Sequence, residues 1–98
     1  MRTFLADAVQ LHVLHHAAQG EIHGAWMSQE LARHGHTISP GTLYPLLHRL
    51  EAAGLLTGRD ELLEHRRIRR YALTAAGRRE LEDSRAALRE LAAEVLNP

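Results

Sequence analysis

The 98 residues predict one domain that is mainly α-helical with a small β-hairpin. Apolar residues recur at spacings of three and four in four separate stretches, as they do along one face of an α-helix. Ser39-Pro40 and Thr74, which are typical helix starts, precede the last two stretches. Two short runs of strand-forming residues lie between them, so the predicted order is three helices, a hairpin and a final helix.

The composition excludes several classes of protein. The chain has no cysteine, which excludes disulfides, a thiolate nucleophile and a thiolate zinc site. It has no apolar segment long enough for a signal peptide or a membrane span, so we expect a cytoplasmic protein that does not bind membranes. It also has no nucleophile–base pair and no phosphate-binding loop, and we therefore expect no enzymatic activity.

Apolar residues predict a first helix from Phe4 to Ala18, with more than one apolar face. Such a helix needs two surfaces that bury it. A second, shorter helix is expected to open at His23-Gly24 and to stop near Gly35.

The third helix is predicted from the spacing of Leu43, Leu47 and Leu50, with Gly54 as its C-terminal cap. Pro45 would remove a hydrogen bond inside a helix that began at Ser39. We therefore expect the helix to start at Gly41 or Thr42, with Ser39-Pro40 as the lead-in.

Residues 55–57 predict a short strand, residues 59–66 a charged loop and residues 68–73 a return strand. Thr74 then caps a final helix with a heptad seam, which is typical of a helix that packs on another subunit. We expect residues 1–73 to form a winged helix-turn-helix domain that binds DNA, and residues 74–98 to form a C-terminal dimerisation helix within the same compact unit. In this fold the third helix enters the major groove.

Three motifs resemble those of the PadR-like transcriptional regulators. Residues 39–51 (SPGTLYPLLHRLE), followed by Gly54-Leu55-Leu56, resemble the recognition-helix signature of that family. His23-Gly24 and the Tyr71-x-Leu73-Thr74-x-x-Gly77 motif resemble two further family features. The resemblance covers nearly the whole chain and implies a homodimeric bacterial transcription regulator, typically a repressor.

The side of the third helix opposite its leucines is predicted to face DNA. These residues, with those that lead into the helix, are Ser39, Gly41, Thr42, Tyr44, Pro45, His48 and Arg49. Hydroxyl and guanidinium groups can bind phosphates or base edges. The alternative is that Tyr44 packs against the wing and that Arg49 pairs with Glu51 or Glu30.

Although the formal net charge is zero, the charges are separated along the chain, and all twelve basic residues are arginine. Arg66, Arg67 and Arg69 of the hairpin are predicted to bind DNA phosphates or a narrow minor groove. The alternative is that Arg69 or Arg70 pairs with Glu61 or Glu64.

The first and last helices are predicted to form the homodimer interface. The residues expected there are Phe4, Leu5, Val9, Leu81, Leu88, Leu91 and Val95.

The eight histidines raise the question of a metal sensor. His12 and His16 share a helix face, and His34 and His36 flank Gly35, so a three-ligand site is conceivable. No cysteine supports such a site and no carboxylate completes a known spacing. We therefore expect no metal ion and no cofactor.

Trp26, the single tryptophan, could line an effector pocket or anchor the core or surface. The sequence therefore predicts a ligand- or stress-responsive repressor that binds a pseudo-palindromic operator as a homodimer, with an unidentified small-molecule effector. The alternatives are a winged-helix protein-interaction module without DNA binding, and a histidine-based metal sensor.

Overall fold

The computed structural model describes residues 3–97 and contains four helices and one antiparallel hairpin. The elements are α1 Phe4–Gln19, α2 Gly24–Arg33, α3 Pro40–Ala52, β1 Leu56–Leu63, β2 Arg66–Leu73 and α4 Ala75–Val95. The predicted fold class and order of elements are confirmed. Residues 1, 2 and 98 of the predicted segments 1–73 and 74–98 lie outside the described residues.

Every element contributes side chains to one hydrophobic core. The fully buried side chains are Val13, Leu14, Met27, Leu31, Leu43, Leu47, Leu56, Tyr71 and Leu81. Burial of each large apolar side chain stabilises the fold by about 1.5–3 kcal/mol. This core fixes α3 against α2 and against the base of the hairpin.

The start of α3 differs from the prediction. The helix begins at Pro40, with Ser39 as its N-cap, and Pro45 lies inside it. Pro40 fits the first helical position because its missing N–H would have no partner there. Pro45 leaves the carbonyl of Gly41 without its intrahelical donor, and both residues are exposed, so water can satisfy that carbonyl.

The hairpin is longer than predicted. Its register runs from Leu56 opposite Leu73 to Leu63 opposite Arg66, so most of the predicted loop 59–66 is strand. Only Glu64 and His65 form the turn, with φ of 50° and 65°, as in the two-residue turns that suit twisted hairpins. The outer part of this hairpin is exposed to water and therefore needs no apolar face. Its sequence is charged for this reason, which is why residues 59–66 were predicted to be a loop.

Thr74 and Gly77 lock the base of the hairpin to α4. The Thr74 hydroxyl donates to the carbonyl oxygen of Gly54 at 2.6 Å and accepts from the Gly77 N–H at 3.0 Å. A Cβ on Gly77 would overlap the carbonyl oxygen of Leu55 and lie 2.6 Å from Leu73 Cδ1. The Thr-x-x-Gly motif therefore allows α4 to begin in contact with the backbone of the preceding loop.

Ile22, in the loop between α1 and α2, pairs with β2 of the hairpin through an isolated antiparallel bridge. Its N–H donates to the carbonyl oxygen of Tyr71 at 3.0 Å, and its own carbonyl oxygen accepts from the Tyr71 N–H at 2.8 Å.

Within residues 3–97, none of the helices is long and apolar enough to cross a membrane.

Candidate nucleic-acid interface

The outward side of α3 and the residues that lead into it form a continuous polar surface. Four leucines of α3 are buried in the core: Leu43, Leu46, Leu47 and Leu50. All seven residues predicted to face DNA are exposed: Ser39, Gly41, Thr42, Tyr44, Pro45, His48 and Arg49. This surface, called the α3 face below, combines hydroxyl, imidazole and guanidinium groups beside a helix N-terminus, which attracts phosphate.

Tyr44 is held on the α3 face by contact with α2. Tyr44 is 43% exposed, and its ring packs over Gly24 of α2. A Cβ on Gly24 would lie 2.6 Å from Tyr44 Cζ and 2.7 Å from its hydroxyl oxygen, which is too close for any side chain. The glycine of the His-Gly motif therefore makes room for the tyrosine of the recognition-helix motif.

Arg49 is left available on the α3 face. Its two predicted acidic partners are engaged elsewhere, because Glu51 binds Arg69 and Glu30 contacts Arg33. Among residues 3–97, the Arg49 side chain makes no hydrogen bond or ion pair. Its positive charge is therefore presented to solvent on the side of α3 that also carries Thr42, beside the start of α1.

The tip of the hairpin carries exposed positive charge. Arg66 and Arg67 directly follow the turn, are exposed, and have no ion-pair partner in the described part of the chain. Arg59, by contrast, binds Glu21 at 2.7 Å, and Arg70 binds Glu61, as the alternative prediction for Arg70 expected. The basic surface of the wing is therefore concentrated at its tip.

Arg69 lies within the protein's own ion-pair network, and its predicted contact with DNA stays a prediction. Its Nη2 and Nε donate to the two Glu51 carboxylate oxygens at 2.6 and 3.3 Å, and its Nη1 donates to Asp60 at 2.9 Å. These partners differ from the predicted Glu61 and Glu64. The guanidinium beside Glu51 lowers the pKa of that carboxyl below its usual value.

Gly58 completes this connection between the wing and α3. A Cβ on Gly58 would lie 2.6 Å from Arg69 Nε, so the glycine leaves space for the guanidinium. The Gly58 N–H also donates to Glu51 at 3.2 Å. The Glu51 carboxylate therefore receives donors from both strands and holds the hairpin against the end of α3.

The predicted dimer residues fall into two groups. Val9 and Leu81 are only 4% and 0% exposed and belong to the chain's own core, so their predicted place in an interface is wrong. The other five are exposed: Phe4, Leu5, Leu88, Leu91 and Val95. An open apolar groove of about 650 Å³ runs between α1 and α4 and is lined by Phe4, Leu88 and Leu91 among others.

Three histidines converge between α1 and the end of α2. One ring nitrogen from each of His12, His16 and His34 lies within 4.8 Å of the others. Burial, followed by the neighbouring imidazoles, lowers the pKa of His12, and burial lowers that of His16. These residues could hold a metal ion, although the sequence predicted none.

Trp26 lies beside this histidine cluster rather than in the groove between α1 and α4. It is exposed, and its ring packs edge-on against His16 with 5.4 Å between centroids. It therefore anchors the surface of α2, one of the two roles predicted for it.

Glu51 and Gly24 are the site residues that were not recognised from the sequence. Both occur inside the motifs that resemble the family, but their partners, Arg69 and Tyr44, are 18 and 20 positions away. A glutamate at the end of the predicted recognition helix, followed by an arginine-rich strand, was the available signal for the first pair.

Three helices, a two-stranded wing and a fourth helix, with a polar face on the third, define a winged helix-turn-helix protein. The model of the PadR-like transcriptional regulator family matches residues 13–83. The chain belongs to this family and is a transcriptional regulator, not an enzyme.

Relatives support this assignment along almost the whole chain. The transcriptional regulator Rv3488 of Mycobacterium tuberculosis is 58% identical over 96 residues, which cover 98% of this chain and 90% of that protein. The crystal structure of a PadR family regulator from Eggerthella lenta is 30% identical, with a TM-score of 0.83 over 91% of this chain and 79% of that one.

A third similar structure is that of Bacillus subtilis PadR in complex with operator DNA. It is 22% identical and has a TM-score of 0.71, covering 78% of this chain and 46% of that one. At this identity the similarity establishes the shared fold.

Proposed function

We propose that this regulator binds operator DNA with the α3 face in the major groove and the tip of the hairpin on the flanking phosphates. The observation that carries the proposal is that every residue of the α3 face is exposed and that Arg49 has no ion-pair partner among residues 3–97. The Bacillus subtilis PadR in complex with operator DNA has the same fold, which supports this placement.

The proposal includes a homodimer whose second copy covers the groove between α1 and α4. Leu88 and Leu91 of α4 are 45% and 43% exposed, and Phe4 and Leu5 of α1 are more exposed still. A two-fold dimer would bring the α4 leucines of one copy to the α1 side chains of the other. Two recognition helices would then contact half-sites about 34 Å apart on a pseudo-palindromic operator.

Repression relieved by a small effector completes the proposed function. The groove between α1 and α4 adjoins the proposed interface, so a ligand bound at its edge would change the spacing of the two α3 helices. Its described lining combines aliphatic side chains, among them Leu88 and Leu91, with Phe4 and the imidazoles of His12 and His15.

A mobility-shift titration tests the proposal directly. The probes are the DNA upstream of the regulator's own gene and a scrambled fragment of the same length and composition. We expect the upstream probe to shift at a concentration at least tenfold lower than the scrambled probe. Equal affinity for both, or no shift of either, would contradict operator binding and favour a winged-helix module that binds proteins.

A further inference from the structure

The histidine cluster, defined as His12, His16 and His34, has no role in the proposed binding of DNA. His12 and His16 are one helical turn apart on α1 and are half-buried. His34 follows the last residue of α2 as its C-cap. The cluster therefore connects α1 to the end of α2, away from the α3 face, and of its three members only His12 also lines the groove between α1 and α4.

The end of α2 has the geometry that brings His34 to α1. The backbone N–H of His34 donates to the carbonyl oxygen of Leu31 at 3.0 Å, and that of His36 donates to the same oxygen at 2.8 Å. Gly35 between them has φ +85°, a conformation that favours glycine. This tight turn holds His34 and His36 beside His12, with ring centroids 5.0 and 5.2 Å from that of His12.

Glu30 adds a carboxylate to the three imidazoles. Its Oε2 lies 3.4 Å from His16 Nε2 and 3.3 Å from His34 Nε2. Its other oxygen lies 3.3 Å from Arg33 Nε. One carboxylate oxygen therefore lies within 3.4 Å of a ring nitrogen of two of the three histidines.

We propose that His12, His16 and His34 bind one divalent transition-metal ion, with Zn²⁺ the best fit and the Glu30 carboxylate as the fourth ligand. Imidazole nitrogens suit Zn²⁺, whereas Mg²⁺ and Ca²⁺ prefer oxygen ligands. Ligands around tetrahedral Zn²⁺ lie about 3.3 Å apart, given Zn–N distances of about 2.0–2.1 Å. The nitrogens, now within 4.8 Å, reach this spacing by small side-chain rotations.

Calorimetric titration of the full chain with Zn²⁺ alone, after chelation of any bound metal, tests the site. We expect one Zn²⁺ per chain with a micromolar or tighter Kd. His12→Ala and His16→Ala should each weaken binding at least about 100-fold, and Glu30→Gln about 10-fold or more, since outer partners alone contribute factors of 10–100. The matched control, His65→Ala at the hairpin tip, should bind as the wild type does.

Two further measurements, Trp26 fluorescence and Tm, test whether Zn²⁺ binds at the histidine cluster. Trp26, the single tryptophan, packs on His16, so its fluorescence should change as Zn²⁺ saturates the wild type and the His65→Ala variant. Zn²⁺ should also raise the Tm of these two proteins because it binds only the folded state. Neither effect should occur in the cluster variants. His34→Ala replaces an exposed residue and provides a folded cluster variant if the α1 variants unfold.

Two results would overturn the site. One is the absence of saturable Zn²⁺ binding by the wild type. The other is equal loss of binding in His65→Ala and in the cluster variants, because that would assign the binding to scattered surface imidazoles.

Discussion

The guanidinium of Arg69 on β2 donates two hydrogen bonds, from Nε and Nη2, to the carboxylate of Glu51 near the end of α3. The pair connects the recognition helix to the wing, the two parts of the fold that we propose to contact DNA. Because Gly58 leaves space for the guanidinium and donates to the same carboxylate, both strands are fixed relative to α3.

Replacing Glu51 by Gln should make the free energy of unfolding depend less on pH in the acid range. Arg69 lowers the pKa of Glu51 in the folded state, so the pair stabilises the fold above the unfolded carboxyl pKa of about 4.3. This stabilisation is lost as the pH falls through the lowered pKa. Urea unfolding across a pH series should therefore show that the difference in the free energy of unfolding between wild type and Glu51→Gln becomes smaller as the pH falls. Glu94→Gln on α4 is the control, and a difference that persists in acid would contradict the prediction.

Gly24→Ala should displace the ring of Tyr44 and destabilise the protein. The added methyl group would overlap the ring, and such overpacking costs about 1–3 kcal/mol. Gly20→Ala is the control because no atom lies within 4 Å of its added Cβ. Thermal or urea unfolding measures both variants. Equal stability of the two would show that Tyr44 moves aside without cost.

Arg49→Ala should weaken binding to the operator about tenfold or more and leave Tm unchanged. The side chain has no partner within residues 3–97, so the fold loses no ion pair, whereas the complex loses an interaction with a base or a phosphate. Arg89→Ala, which removes the same charge from an exposed position on α4, is the control. Operator affinity equal to that of the control would remove Arg49 from the interface.

Neutralising the hairpin tip should weaken binding to any DNA sequence. In Arg66→Ala/Arg67→Ala the slope of log K against log salt should fall by about 0.9 for each DNA phosphate that the variant no longer neutralises. Arg78→Ala/Arg79→Ala removes an adjacent exposed pair from α4 and should leave the slope unchanged. If only specific binding falls, the tip reads bases rather than phosphates.

Leu88→Asp/Leu91→Asp should produce monomers and abolish tight operator binding. Burial of each leucine in a dimer contributes about 1.5–3 kcal/mol, which an aspartate removes. Sedimentation velocity compares this variant with Leu62→Asp, a control at a hairpin residue that is also exposed. A wild type that sediments as a monomer at micromolar concentration would refute the dimer.

The local parts of the fold could be predicted from the sequence. Thr74 and Gly54 marked helix ends, and leucine spacing identified the buried side of α3, because these signals depend on neighbouring residues. The start of α3 was placed too late because Pro45 was assumed to need the first turn. Helix ends are also the least certain boundaries.

The remaining features depend on contacts between distant residues. The partners of Arg69 follow from the strand register, and the burial of Leu81 follows from how α4 lies on α1. An exposed hairpin has no apolar alternation that would reveal its length. The α3 face was recognised because its buried and exposed residues alternate with the helical period.

The two-residue turn at Glu64 and His65 constrains how the wing can vary in evolution. Side chains alternate between the two faces of a strand, so inserting one residue between Arg69 and the buried Tyr71 would turn Arg69 away from Glu51. The turn has no spare residue that could absorb the change. Viable length variants of this wing should therefore gain or lose residues in matched pairs across the two strands, which changes how far the arginine tip projects without loosening its base.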